Sequence, residues 1–124
     1  NSFTSASLSP PLVLWCIDRR AARFSAFMSA DAYSINVLKA EQTALSEQFA
    51  RHGPKPVDAA LVTAWETGAP ILKDALAAFD CRVVNRHGAG DHVVLIAEVV
   101  KFHAGSGKPL LYFASRYAEG PDAP

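Results

Sequence analysis

The sequence predicts an α+β domain, mainly antiparallel β, built around a sheet or barrel. Three observations carry this. Strand-like and helix-like hydrophobic periods alternate through residues 11–51, and the last third is strand material punctuated by glycine turns. No glycine-rich loop follows a strand and opens a helix, so dinucleotide binding by a doubly wound fold has no support.

Residues 11–17 (Pro-Leu-Val-Leu-Trp-Cys-Ile) are a continuous apolar run after Pro10, which reads as a strand buried on both faces. Phe24, Phe27 and Met28 follow at i, i+3 and i+4, the spacing of one face of a short amphipathic helix. Tyr33, Ile35 and Val37 alternate with Ser34 and Asn36, so residues 32–38 predict the next strand. Leu45 and Phe49, one turn apart, mark a second short helix across residues 41–51, ended by Gly53-Pro54 and Pro56. Residues 57–65 fit either a helix, through Ala59, Ala60, Leu61 and Ala64, or an irregular loop closed by Gly68-Ala69-Pro70. Residues 78–87 and 92–103 flank the turn Gly88-Ala89-Gly90-Asp91 and predict a hairpin. Gly105-Ser106-Gly107 then turns the chain into a third consecutive antiparallel strand at residues 108–114. The tail at residues 118–124 is rich in structure breakers and is expected to be flexible.

Half of the 124 residues are apolar and 19% are charged, a mixture that can bury a core and does not suit a disordered chain. Lys+Arg and Asp+Glu both number 12, so the net charge is zero, and neither a nucleic-acid partner nor a polybasic membrane attachment is predicted. No apolar run reaches the length of a membrane span, and no signal-peptide pattern opens the chain. Cys16 and Cys81 each lie inside an apolar run and predict two free thiols in a reducing, cytoplasmic setting; an inter-strand disulfide is the alternative. No Cys and His spacing suits a metal, so none is expected.

Four patches could carry chemistry. Asn1, Ser2, Thr4, Ser5, Ser7 and Ser9 crowd polar side chains ahead of the first apolar run, beside Phe3. They form either a wall of hydrogen-bonding groups for a planar ligand or phosphate, or an exposed loop of turn formers, which composition favours. Asp18, Arg19, Arg20 and Arg23 fall where a strand feeds a helix; the arginines suit a phosphate, and the alternative is a solvated basic turn with Asp18 as its counter-charge. Gly90-Asp91-His92 puts an imidazole at a strand start, a position more often an exposed loop residue than a functional one. Arg116-Tyr117 sets a cation beside an aromatic, either a nucleotide clamp or ordinary surface.

Taken in order, these patches resemble the split-barrel flavin reductases of two-component monooxygenase systems. Asn1-Ser2-Phe3-Thr4-Ser5-x-Ser7-Leu8-x-Pro10-Pro11 is similar to that family's most recognisable stretch, followed by Cys16-Ile17-Asp18-Arg19-Arg20. Asn36-Val37-Leu38 with Gln42, Gly68-Ala69-Pro70 with Cys81, Gly90-Asp91-His92, and Tyr112-Phe113 with Arg116-Tyr117 resemble the later blocks. The resemblance spans residues 1–117. It implies a homodimeric FMN-binding split barrel with short peripheral helices, the family's upstream helix and strands being expected to be missing before Asn1. It further implies NAD(P)H:flavin oxidoreductase activity, with NADH or NADPH as hydride donor, FMN or FAD as acceptor, and a monooxygenase as the partner that receives reduced flavin.

By the same resemblance, Asn1, Ser2, Phe3, Thr4, Ser5 and Ser7 would face the isoalloxazine and ribityl chain. Asp18, Arg19, Arg20 and Arg23 would surround the flavin phosphate, and Asn36 and Gln42 would belong to the cofactor site. His92 would lie near nicotinamide and flavin as the catalytic residue, and Arg116 and Tyr117 would hold reduced cofactor. Three positions depart from the family: Arg23 and Lys39 stand where hydroxyl residues are usual, and the Phe-containing segment expected near Val57 and Asp58 is not recognisable. Two other readings remain open at this stage, a flavin-binding electron carrier with little reductase activity and a fragment with no catalysis of its own.

Overall fold

The structure, a computed structural model, describes residues 2–51 and 57–122. The Gly53-Pro54 and Pro56 helix stop falls outside the described residues, as does Asn1. A five-stranded antiparallel sheet organises the chain. Its strands are β1 (Thr4–Leu8), β2 (Pro11–Asp18), β3 (Ala32–Val37), β6 (Ala77–Ala89) and β7 (His92–Ala104), in the order β1-β2-β7-β6-β3. Two small two-stranded sheets flank it, β4 (Val62–Ala64) with β5 (Pro70–Leu72), and β8 (Leu110–Phe113) with β9 (Arg116–Glu119). Two short helices, α1 (Phe24–Ser29) and α2 (Thr43–Ala50), complete the described elements, with 3-10 turns at Ala40–Gln42 and Ala59–Leu61. The sheet is open at β1 and β3 among the described residues, and its mainly antiparallel α+β architecture is the predicted one.

The core follows the two-residue period of the strands. Val13 and Ile17 of β2, Tyr33 of β3, Cys81 of β6, and Val93, Leu95 and Ala97 of β7 all project to one face and are buried there. Phe24, Phe27 and Met28 of α1 pack on this cluster, as their spacing predicts. The C-terminus of α1 is held by Arg86, whose guanidinium donates to the carbonyls of Phe27, at 3.2 Å, and of Ala30. A cation there satisfies carbonyls that have no partner within the helix. A second cluster (Ile71, Leu72, Ala75 and Ala78) lies apart from the first and is covered by Leu38, Leu45, Val57, Val62 and Trp65.

Six expectations need correction. The polar stretch from Thr4 to Leu8 is a strand rather than a loop, because it pairs with β2 around the turn at Ser9-Pro10, with a bulge between Ser5 and Ser7. An edge strand with one solvated face carries no hydrophobic period to announce it. β2 is not buried on both faces: Leu12, Leu14 and Cys16 are only half-covered. Residues 57–65 resolve into a 3-10 turn followed by β4, whose Val62 and Thr63 find partners in Leu72 and Ile71. The hairpin turn is tighter than predicted, because β6 runs to Ala89 and Gly90, at φ +62°, takes the left-handed conformation. Finally, β8 does not continue the main sheet. Leu110 N–H donates to the Leu38 carbonyl and Ala40 N–H to that of Lys108, so the segment docks on the end of β3 and folds back as β9. β9 extends through Ala118 and Glu119, into the stretch expected to be flexible, and Gly120 N–H bonds the Pro109 carbonyl at 2.9 Å.

Both cysteines are free thiols, as composition suggested. Cys81 is fully buried, and burial, with the Asp80 charge adding to it, pushes its thiol up to about 12. Asp80 is itself buried and accepts hydrogen bonds from Thr67 N–H (3.0 Å) and the Thr67 hydroxyl, pinning the loop before β5 to the sheet. Asp80→Ala would leave the Thr67 N–H without its acceptor, so a stability loss of about 1–3 kcal/mol is expected. Urea unfolding measures it, with faster amide exchange at Thr67 and Ala69 in the same variant.

Candidate functional site

A groove of about 1080 Å3 opens between the β1 and β2 end of the sheet and the β8–β9 hairpin docked on β3. Its aromatic walls are Phe3, Trp15, Tyr112 and Tyr117, and its polar lining includes Ser2, Ser34, Asn36 and His92. Pockets of this size take drug-sized and nucleotide-sized ligands.

Three elements place these groups. Ser2 sits just ahead of β1, where its hydroxyl accepts from Cys16 N–H at 2.7 Å and latches the chain start onto β2. Phe3 turns inward, 5.8 Å from the Phe79 ring. Tyr117 donates its hydroxyl to Ser46 at 3.1 Å, tying β9 to α2, and its ring lies 5.0 Å from Tyr112. His92 is the first residue of β7, opposite Asp18 on β2 and Ala89 on β6. The Asp91 carboxylate accepts from His92 Nδ1 at 2.8 Å, which puts the ring proton on Nδ1 and leaves Nε2 for a ligand.

The basic patch sits beside His92 at the same strand end. Asp18 accepts from Arg20 three times: from the backbone N–H at 2.7 Å, from Nη2 at 2.9 Å and from Nε at 3.2 Å. Arg19 donates Nε to the Gly90 carbonyl and its backbone N–H to that of Asp91, clamping the hairpin turn that carries His92. Its two Nη groups make no hydrogen bond among the described residues. Arg23 lies on the other side, donating Nη1 to the Phe49 carbonyl of α2 at 3.2 Å.

The structure therefore brings Ser2, Phe3, Asn36, His92 and Tyr117 to one groove, with Asp18, Arg19 and Arg20 at its neighbouring strand end. Asn36 and Gln42 have structural partners. The Asn36 amide bridges Ser34 and the Leu72 N–H, and Gln42 accepts from Lys39 N–H while donating to the Asp74 carbonyl. Thr4, Ser5 and Ser7 lie along the edge strand β1, and Arg116 is exposed on β9 opposite Phe113; none of these lines the groove. Sequence reasoning missed Trp15, Cys16, Ser46 and Tyr112 as groove residues. Trp15 and Cys16 are absorbed into an apolar run; Trp15 packs on the cluster of Val13 and Ile17, Cys16 belongs to the half-covered face, and both reach the groove lining. Among the described residues no cluster of His, Cys, Asp and Glu could hold a metal, and no helix is long and apolar enough to cross a membrane.

Residues 1–121 match the model of the flavin reductase like domain. The chain belongs to that family. One relative, the FMN reductase (NADH) SmoA of Agrobacterium fabrum, is 40% identical over 115 residues, covering 90% of this chain and 64% of the relative. A second, the reductase component of 4-nitrophenol 4-monooxygenase/4-nitrocatechol 2-monooxygenase from Rhodococcus opacus, is 35% identical over 117 residues, covering 94% and 63%. A solved structure, the NADH:FAD oxidoreductase SgcE6 of Streptomyces globisporus with NAD and FAD fragments, matches with a TM-score of 0.86 at 31% identity, covering 95% of this chain and 73% of that one. The chain spans about two thirds of the length of the curated relatives it matches.

The Asp18 carboxyl is held at about 2, first by the Arg20 side chain and then by the Arg20 backbone N–H. A carboxyl held below its unfolded value stabilises the fold at pH above about 4 and loses that contribution as pH falls through about 2. Asp18→Asn should flatten the pH dependence of stability within this window and leave it unchanged above. A carboxyl-carbon NMR titration of the native protein should place the midpoint near the lower end.

Proposed function

We propose that the protein is an NAD(P)H:flavin oxidoreductase that passes a hydride from NADH or NADPH to FMN or FAD and supplies reduced flavin to a partner monooxygenase. The observation that carries this reading is the groove itself, where four aromatic side chains and His92 line a cavity of about 1080 Å3, a volume that suits nucleotide-sized ligands. The named relatives add weight: one is an FMN reductase using NADH, and another is the reductase component of a monooxygenase.

The residues fit such a pair of ligands. Phe3 and Trp15 offer aromatic surface for the isoalloxazine, and Ser2, latched to β2, lines the same groove. Arg19 and Arg20 provide positive charge for the flavin phosphate, Arg19 through its Nη groups. Bound together, the two nucleotides supply hydride donor and acceptor, so the chain needs no nucleophile and no strong base. Its own task is geometric, holding two rings in contact and keeping water from between them. With Nδ1 engaged by Asp91, His92 keeps Nε2 for the nicotinamide. Tyr117, fixed by Ser46, holds the opposite wall.

The functional unit is read as a homodimer. Phe102, Tyr112 and Phe113 are large apolar side chains left mostly exposed, the kind of surface that a second copy covers. Light scattering of the purified protein should return twice the chain mass.

His92→Ala is expected to lower kcat/KM for NADH about 10- to 100-fold while changing the flavin Kd less than about 3-fold. Steady-state NADH oxidation with FMN, FAD and riboflavin compared, alongside flavin titration, measures both. Unchanged NADH kinetics would remove the role given to His92, and no flavin-dependent NADH oxidation by the native protein would remove the reductase reading.

A further inference from the structure

His92 reaches the groove from the end of the β6–β7 hairpin, and a side chain from outside that hairpin fixes the turn ahead of it. Arg19, where the chain leaves β2, donates Nε to the Gly90 carbonyl at 3.0 Å and its backbone N–H to the Asp91 carbonyl at 2.9 Å. The Asp91 carboxylate in turn accepts from His92 Nδ1 at 2.8 Å. Arg19 holds the residue that holds His92.

The same guanidinium keeps donors in reserve. With Nε committed to the turn, both Nη groups remain on an exposed side chain, on the edge that grips an oxyanion bidentately. Nη2 rests over Gly88: a Cβ there would stand 3.0 Å from it, so a side chain at this position would push the guanidinium aside. Gly88 is not among the glycines with positive φ, so what it supplies is room and not an unusual backbone conformation. Arg20 differs, because its Nε and Nη2 both donate to Asp18.

We propose that Arg19 is a positioning residue that couples the flavin phosphate to His92, so that phosphorylated flavins are favoured at hydride transfer and not only in binding. The coupling rests on the reductase reading given above. A guanidinium is rigid and planar, so a phosphate on the Nη groups and the Gly90 carbonyl on Nε require the same side-chain rotamer. Holding an exposed arginine costs rotamer entropy, and two contacts that share one ordering step strengthen each other reciprocally. With the turn fixed, Asp91 orients the imidazole and Nε2 stays set for the nicotinamide. Riboflavin has no phosphate and leaves the clamp to Arg19 alone. A lysine would carry the charge but has no fork to hold both partners.

The test compares NADH oxidation by the whole protein at saturating FMN and at saturating riboflavin. The native kcat/KM for NADH is expected to be about 10-fold higher with FMN, and that ratio should fall to about 1 in Arg19→Lys and in Gly88→Ala. In a His92→Ala background, Arg19→Lys should still weaken FMN binding but lower kcat/KM no further, because the group it positions is gone. With isotope-labelled histidine, the His92 imidazole signals of the native protein should differ between the FMN and riboflavin complexes, and the difference should vanish in Gly88→Ala. A purely structural role for Arg19 moves neither readout, and thermal midpoints check that the variants are folded. No flavin-dependent NADH oxidation by the native protein would overturn the reductase reading and the coupling together. With that activity present, equal rates for FMN and riboflavin, a ratio preserved in both variants, additive losses in the double variant, or His92 signals indifferent to the phosphate would each overturn the coupling alone.

Discussion

The antiparallel pairing of β2 with β7 is the constraint on which the rest of the structure depends. It runs from Leu12 opposite Glu98 to Asp18 opposite His92, and it sets two things together. Along the strands it aligns Val13 and Ile17 with Val93, Leu95 and Ala97 on the buried face. At the strand end it brings the Asp18 turn, with Arg19 and Arg20, beside the imidazole of His92. A slip of one residue would send every buried side chain of β2 to the opposite face, so the core itself enforces the register that places the site. Hydrophobic burial and the placement of polar groups are therefore one choice here. Arg19 completes the arrangement by clamping the hairpin turn from the β2 side.

The groove owes its other wall to a departure from the simplest strand order. β7 has β2 on one side and β6 on the other, so the segment that follows it cannot pair with it. Instead the segment after Gly107, which sits at φ +131°, docks on Leu38 and Lys39 at the end of β3 and returns as β9. Ala114 and Ser115 take the left-handed turn positions of that hairpin, at φ +48° and +62°. Tyr117 then reaches Ser46, and β3, α2 and β9 are joined around the cavity.

Zero net charge takes on a local meaning in three dimensions. The arginines that look like one basic patch in sequence have separate duties: Arg20 is paired with Asp18, Arg19 holds a turn, and Arg23 faces α2. Adjacency in sequence leaves Arg19 and Arg20 at the end of β2, but hydrogen-bond geometry gives the three arginines separate partners. The same holds for the polar stretch at the chain start, where Ser2 serves the backbone of β2 and Phe3 serves the core.

The two hydrophobic periods were enough, by themselves, to determine the α+β class, the helix contacts of Phe24, Phe27 and Met28 and the β6–β7 hairpin, and the order of motifs pointed to the family. These rest on local spacing, which a single strand or helix imposes on its own residues. Only the tertiary structure decided that residues 4–8 are a strand, that Trp15 and Cys16 face a cavity, and that β8 leaves the main sheet. It also decided that Asn36 and Gln42 brace the fold. Each of these depends on which distant backbone or side chain supplies the partner. Such pairing leaves no period in the sequence, because an edge strand and a docked hairpin are defined by what lies across from them.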